Sequence, residues 1–263
     1  MSESTVLISK DARGVATVTI NRPTVRNAID DTVIRSLTDV FKTLHADAET
    51  RVVVLTGSGS AFSAGADLDW MRRMAAAGDA ENFASAKTIS AMLRGLNELA
   101  KPTIARVNGA AYAAGIGLVA ACDIAVAAEE AMFSISEVRI GLVPSTISPY
   151  VIAAIGARAA RRYFLTGEAF SAPEAHRLGL LHQVVPGGGL DAAIESVIAS
   201  LLAGGPQSQA RAKRLIAQIA GRPVDDALEA LTARSIADAR ASAEGREGIA
   251  AFLEKRRPAW RRE

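Results

Sequence analysis

The 263-residue chain carries 30 Lys and Arg against 28 Asp and Glu, a net charge of +2, so no basic excess argues for a nucleic-acid partner. Hydrophobic residues make up 49% and charged residues 22%, enough for a packed core under a polar surface; aromatics are only 5%, so Ala, Val, Ile and Leu must fill the interior. The single cysteine, Cys122, excludes an intrachain disulfide, and within its apolar run it reads as a small buried hydrophobe. The N-terminus has no basic-then-apolar signal pattern, and the apolar run 110–122 is too short to span a bilayer and is closed by Asp123. A reducing, cytoplasmic setting away from membranes is expected.

In chain order, residues 15–20 (VATVTI) alternate and are rich in β-branched side chains, the pattern of a strand ended by Asn21-Arg22-Pro23. Asp30 or Asp31 then caps a helix whose Val33, Leu37, Phe41 and Leu44 recur at helical spacing. Residues 51–57 (RVVVLTG) form a nearly continuous apolar strand, suited to a sheet buried on both faces. A small-residue loop, 58–68, leads to a helix at 69–77, and a further helix is expected over 82–99 with Ile89, Met92, Leu93 and Leu96 on one face. Residues 103–107 form a strand. The stretch 105–145 follows as strand, small-residue turn, buried helix, second strand and then a carboxylate, Glu137, in an apolar context. Beyond about 148 the text is helices and turns with few strand candidates, ending in a helix at 244–257 and a basic tail. An α/β part, residues 1–200, is thus followed by a helical region, 201–263, as one functional unit.

Several constellations fail. His45, His176 and His182 are scattered and fit no zinc spacing, so no metal is expected. Gly57-Ser-Gly59 follows a strand but lacks the third glycine of a dinucleotide fingerprint. Residues 61–65 (AFSAG) resemble a nucleophile elbow, yet Ala61 stands where the first glycine belongs and no His and Asp partners follow, which argues against Ser63 as a nucleophile.

Two small-residue turns remain, 63–67 and 113–117, each after a strand and before a helix. N–H groups at helix starts lack partners and carry partial positive charge, so two such turns aimed at one point would make an oxyanion hole. Alternatively they are only tight strand-to-helix connections. Glu137 lies among Phe133, Ile135, Val138, Ile140, Leu142 and Val143, which would desolvate its carboxylate and raise its pKa, as proton transfer near neutrality requires. A salt bridge to Arg139 is the competing reading.

These residues carry a resemblance. INRPTVRNAI (20–29), FSAGADL (62–68), VNGAAYAAGIGLVAACDIAVA (107–127), FSISEVRIGLVP (133–144), LTGEAFSAPEAHRLGLLHQVV (165–185) and EGREGIAAFLEKR (244–256) occur in an order that resembles the enoyl-CoA hydratase/isomerase (crotonase) superfamily. The resemblance implies an α/β spiral of ββα units with a C-terminal helical trimerisation region, assembled as a homotrimer or a dimer of trimers. It implies an acyl-CoA thioester as substrate, which brings coenzyme A with it and needs no further cofactor. The thioester oxygen would accept from the backbone N–H of Ala66 and Ala114, the latter standing where the family usually has Gly. Coenzyme A would lie along Arg26, Ala28, Ala64, Asp67 and Leu68. Phe252 and Lys255 match a C-terminal helix that reaches a neighbouring subunit's coenzyme A, with Arg256 and Arg257 beside Lys255 to neutralise phosphates.

One departure bears on the reaction. Hydratases of this superfamily carry two glutamates; one corresponds to Glu137 and the other falls on Gly117. A single base that shuttles a proton between two carbons suits double-bond isomerisation, whereas residues 136–152 and the glycine at 117 resemble a bacterial branch of hydratases that includes enzymes acting on methylglutaconyl-CoA. Hydration of a 2-enoyl-CoA with Glu137 as acid and base is the expected activity. The alternatives are an enoyl-CoA isomerase and a non-catalytic acyl-CoA-binding paralogue.

Overall fold

The computed structural model describes residues 4–261. The chain opens with β1 (Val6–Lys10), paired antiparallel to β2 (Val15–Ile20), and the latter leads through a short 3-10 turn at Pro23–Val25 into α1 (Asp31–Ala46). β1 is not among the expected elements: only Val6 of its residues is buried, so this edge strand shows no alternation to read. Asp30 is the cap of α1, its carboxylate accepting from the N–H groups of Thr32 and Val33 at 2.9 Å.

A unit then repeats in which a long strand, a short strand and helix follow one another. β3 (Val52–Gly57), β4 (Ala61–Ser63), α2 (Leu68–Ala76) and α3 (Asp79–Asn97) make the first; β5 (Thr103–Val107), β6 (Ala110–Tyr112) and α4 (Ala114–Ala121) the second; β7 (Ile124–Ala128), β8 (Met132–Ser134) and α5 (Ser148–Thr166) the third. β4 replaces part of the loop expected over 58–68. β9 (Ala169–Ser171), α6 (Ala172–Leu178), β10 (Gln183–Val185) and α7 (Leu190–Ala203) complete the body, so the region beyond 148 does hold two strands, each only three residues long and easily missed.

The long strands form one sheet in the order β1-β2-β3-β5-β7-β10, parallel except for β1 with β2. The short ones form a second sheet, β4-β6-β8-β9, parallel except for β8 with β9. Every residue of β3 is buried, because the large sheet is covered on both faces. One face meets α1, α3 and α4 through Phe41, Leu93, Leu96 and Ile116; the other packs Val52, Val54, Ile104 and Val126 on Leu190, Ile194 and Ile198 of α7.

Burial thins after α7. α8 (Pro206–Ile219) buries no residue, α9 (Asp226–Ala241) only Leu228 and α10 (Ala243–Leu253) only Ala251. Polar ties hold these helices instead. Lys213 Nζ lies 2.8 Å from Asp123, whose same oxygen takes the Thr103 N–H at 2.8 Å. Glu244 accepts from Gln207 N and Ser208 N at 2.9 and 2.7 Å, capping α8. The Trp260 indole donates to Ala203 O at 3.2 Å. α10 stops short of the expected 257, because Lys255 turns into the left-handed region at φ 55. Among the described residues no helix is long and apolar enough to cross a membrane.

Candidate active site

The repeat decides where the site forms. Each short strand hands the chain to a helix, and the turns at 63–67 and 113–117 are the hand-over points of neighbouring units, since β4 and β6 are adjacent and parallel. In the first turn Gly65 adopts φ +90, and a β-carbon there would lie 3.0 Å from both Ala113 Cβ and Tyr112 O. In the second, a β-carbon on Gly115 would lie 2.8 Å from Ser63 O. Each turn thus fills the space left by the other's glycine, and the two expected donor turns are in direct contact.

Their N–H groups are selectively occupied. Ala64 N donates to Arg26 O at 2.9 Å, Asp67 N to Ile29 O at 3.0 Å and Gly65 N to Ser63 Oγ at 3.3 Å. Ala66 N has no acceptor among the described residues, and neither has Ala114 N at the first position of α4, whereas Ala113 N is taken by Ser134 O at 2.9 Å. The alanine in place of glycine at 114 costs no strain, because 114 is helical; the positive φ falls one residue earlier, on Ala113 at φ 47, ψ −116.

Glu137 opens a 3-10 turn, Glu137–Ile140, that packs against α5. Burial raises its pKa above the ordinary carboxylate value, a hydrogen bond from its own N–H opposing this, and its Oε2 is buried with no hydrogen-bond partner. The salt-bridge alternative is not realised: the Arg139 guanidinium turns toward Thr166 O at 3.5 Å. Of the apolar residues around it in sequence, Phe133 and Ile135 are fully buried, whereas Ile140, Leu142 and Val143 are 58%, 54% and 72% exposed and present apolar surface. Gly117 lies deep in α4, where a β-carbon would meet Ile147 Cγ2 at 2.3 Å.

Arg26, Ala28, Ala64, Asp67 and Leu68, with Ala66, line one cleft of about 500 Å³ together with Thr24, Val25, Asp69 and Arg72. The positions expected to hold coenzyme A on this chain are therefore contiguous. Asp67 is committed structurally, however. Its carboxylate caps α2 through Asp69 N and Trp70 N at 2.9 and 3.1 Å and pairs with Arg22 at 3.0 Å. Burial alone would raise its pKa, but the Trp70 N–H, Arg22 and the Asp69 N–H together hold it below the usual value.

Phe252 and Lys255 do not line this cleft. Phe252 is 82% exposed at the end of α10, and Lys255 follows in its left-handed turn. Arg256, expected to help with phosphates, is instead held by Glu247 and Glu254, with Nη1–Oε1 and Nε–Oε2 distances of 2.6 Å. Glu247 is pulled down to about 2 by Arg256 and by the Ala259 N–H.

Two organising residues escape sequence reasoning. Asn27 is fully buried, and its side chain accepts from Arg22 N at 2.9 Å and donates to Ser58 O and Ala61 O at 2.8 Å. Arg22 donates to Ala28 O at 2.6 Å and pairs with Asp30 at 3.2 Å, tying the cleft's floor to the caps of α1 and α2. The available signal was the Arg-Asn pair at 26–27: both take positive φ, 53 and 58, and asparagine is among the few side chains that tolerate this. Among the described residues no group of three His, Cys, Asp or Glu is placed to hold a metal ion.

The chain matches the family described as Enoyl-CoA hydratase/isomerase over residues 10–263. Its fold superimposes on an enoyl-CoA hydratase from Shewanella pealeana with a TM-score of 0.95 at 39% identity, covering 97% of this chain and 96% of the other. An enoyl-CoA hydratase of Mycobacterium smegmatis gives 0.92 at 36% identity over 99% and 100%. The 2,3-dehydroadipyl-CoA hydratase of Escherichia coli is 31% identical over 97% of this chain and 98% of its own length. The two-sheet fold is thus crotonase-like, and the chain belongs to the enoyl-CoA hydratase/isomerase family.

Proposed function

We propose that the protein hydrates the double bond of a 2-enoyl-CoA thioester, with Glu137 as its proton carrier. The observation that carries this reading is the half-buried Glu137, whose Oε2 is enclosed without a hydrogen-bond partner, in the same spiral as two interlocked turns whose Ala66 and Ala114 N–H groups are unoccupied. The thioester oxygen accepts from those two N–H groups. Glu137, ionised, takes a proton from water as the water oxygen bonds to C3, and the π electrons move onto the thioester as an enolate held by the two donors. The protonated Glu137 then returns that proton to C2, so water is added and the carboxylate is regenerated. Coenzyme A follows the cleft at Arg26, Ala28, Ala64, Asp67 and Leu68, with Arg26 and Arg72 as the cationic side chains at its wall. The names of the three relatives, all hydratases matched over almost the whole chain, support this reaction. A branched or carboxylated acyl group such as methylglutaconyl is the substrate proposed within this class.

Isomerisation is the second reading, and Gly117 favours it. If relatives with two glutamates carry the second at this position, its place is filled here by Ile147, leaving one carboxylate to move a proton from C2 to C4. Phe252 and Lys255 are proposed to act on a neighbouring copy in a homotrimer, or a dimer of trimers, in the cytoplasm; their exposed position at the end of α10 fits this.

The test separates the readings. Purified protein is given 2-enoyl-CoA and 3-enoyl-CoA in separate assays. Hydration removes the conjugated-thioester absorbance from the first, and isomerisation creates it from the second. Glu137→Gln is expected to lower either rate by about 10²–10⁴-fold; full turnover in that variant removes Glu137 from the mechanism.

A further inference from the structure

We propose that Ser63 is the positioning residue of the site, its hydroxyl selecting the donor in the first turn while its main chain and β-carbon meet the second. The inference rests on the reading above that the two turns bind a thioester oxygen. Ser63 is the serine whose neighbours resemble a nucleophile elbow, and the structure gives it other work. It is fully buried, its Oγ donates to Asn27 O at 2.9 Å, and the same oxygen accepts the Gly65 N–H at 3.3 Å. Its single proton is committed to the Asn27 carbonyl, so it has no proton relay to an acid or base and stays an alcohol.

The consequence is local. Across residues 64–67 the N–H groups of Ala64, Gly65 and Asp67 are all occupied, and only that of Ala66 is left for a ligand. Without the Ser63 hydroxyl the Gly65 N–H would compete with it, and the turn would lose the bond that holds its left-handed Gly65 in place. On its other side Ser63 meets α4: a β-carbon on Gly115 would sit 2.8 Å from Ser63 O, 3.1 Å from its Cβ and 3.4 Å from its Oγ. Ser63 therefore seats the first turn of α4, where the Ala114 donor lies, against the turn that carries the Ala66 donor. Asn27, whose carbonyl receives the hydroxyl, is itself fixed by Ser58, Ala61 and Arg22. The first turn, against which the second is seated, is thus held to the floor of the cleft through one buried hydroxyl.

Donor placement acts on the enolate more than on ground-state binding, since a developing negative charge gains most from aligned N–H groups. Ser63→Ala is expected to lower kcat about 10–100-fold, the scale of a displacement of about 1 Å, while KM for the acyl-CoA changes less than about threefold. A second readout is optical. An aryl-conjugated enoyl-CoA absorbs at longer wavelength when its carbonyl is polarised, and the shift on binding to the intact protein is expected to shrink in Ser63→Ala at saturating ligand. Thermal midpoints are recorded alongside. Should Ser63→Ala fail to fold, Ser63→Cys, of similar shape and with a weaker donor, is expected to show the same two losses at smaller amplitude. A Ser63 variant that folds and keeps both kcat and the full shift overturns the positioning role alone. Intact protein that binds the probe with no shift overturns the oxyanion reading and this inference with it.

Discussion

Gly117 and Ile147 share one volume. A β-carbon on Gly117 would lie 2.3 Å from Ile147 Cγ2 and 3.0 Å from its Cβ, and Ile147 is 1% exposed at the start of α5. Both are fixed parts of the core, so a side chain at 117 has no free space to enter, and the size of residue 147 controls what residue 117 can be.

A double-mutant cycle measures that coupling. Gly117→Ala is expected to destabilise the protein by about 1–3 kcal/mol, the usual cost of overpacking. In an Ile147→Ala background, which removes the atom at 2.3 Å, the penalty should largely disappear, giving a coupling of about 1 kcal/mol or more. Chemical denaturation of the four proteins reads it; additive effects would show that α4 and α5 move apart freely.

Glu137 should leave a pH signature on stability. Its pKa is raised in the folded protein by burial, so the folded state holds this proton more tightly than the unfolded chain. Native stability from this group is therefore fully present below the ordinary glutamate pKa and is lost as pH rises through the folded value. Glu137→Gln, neutral at every pH, is expected to be more stable than the wild-type protein near neutrality, and the gap should close as the medium is acidified below the ordinary value. Thermal midpoints across pH check this; a constant gap, or one of opposite sign, contradicts it.

Ala113 offers a stabilising change. At φ 47, ψ −116 it holds a β-carbon in a region that side chains avoid, a strain of about 1–3 kcal/mol. Ala113→Gly relieves it, offset by the greater freedom of glycine in the unfolded chain, for an expected net gain of about 0.5–2 kcal/mol. The Ala113 β-carbon also lies 3.0 Å from the β-carbon position of Gly65, so a looser interlock would appear as a lower kcat despite the higher melting point.

Elements with a long-range hydrophobic period were readable from the sequence. The buried strand at β3 and the α1 stripe of Val33, Leu37, Phe41 and Leu44 follow from burial on a single face or on both. What the text hid is what depends on partners far along the chain. β1 is an edge with one buried residue, and β9 and β10 are three residues each, recognisable only by their neighbours. The direction of the Glu137 shift was anticipated, but sequence does not tell which of its apolar neighbours are buried: Phe133 and Ile135 are, while Leu142 and Val143 are mostly exposed. Arg256 looked like a free cation, yet Glu247, nine residues earlier, and Glu254 neutralise it. Asn27 carries no chemical motif; its importance lies in a left-handed backbone and three hydrogen bonds to residues up to 34 positions away.

The reciprocal seating of Gly65 against Ala113 and of Gly115 against Ser63 has a thermodynamic consequence. Neither turn is a binding element until its partner, contributed by the next unit of the spiral, is docked. A ligand that bridges both therefore binds the fully assembled chain and none of its partly folded forms, and mass action makes it a stabiliser of the whole body. At a hundred times its dissociation constant it would add about 2.7 kcal/mol to the unfolding free energy. A melting curve recorded with and without a non-reacting acyl-CoA would then report on occupancy of the site even for a thioester that the protein never turns over.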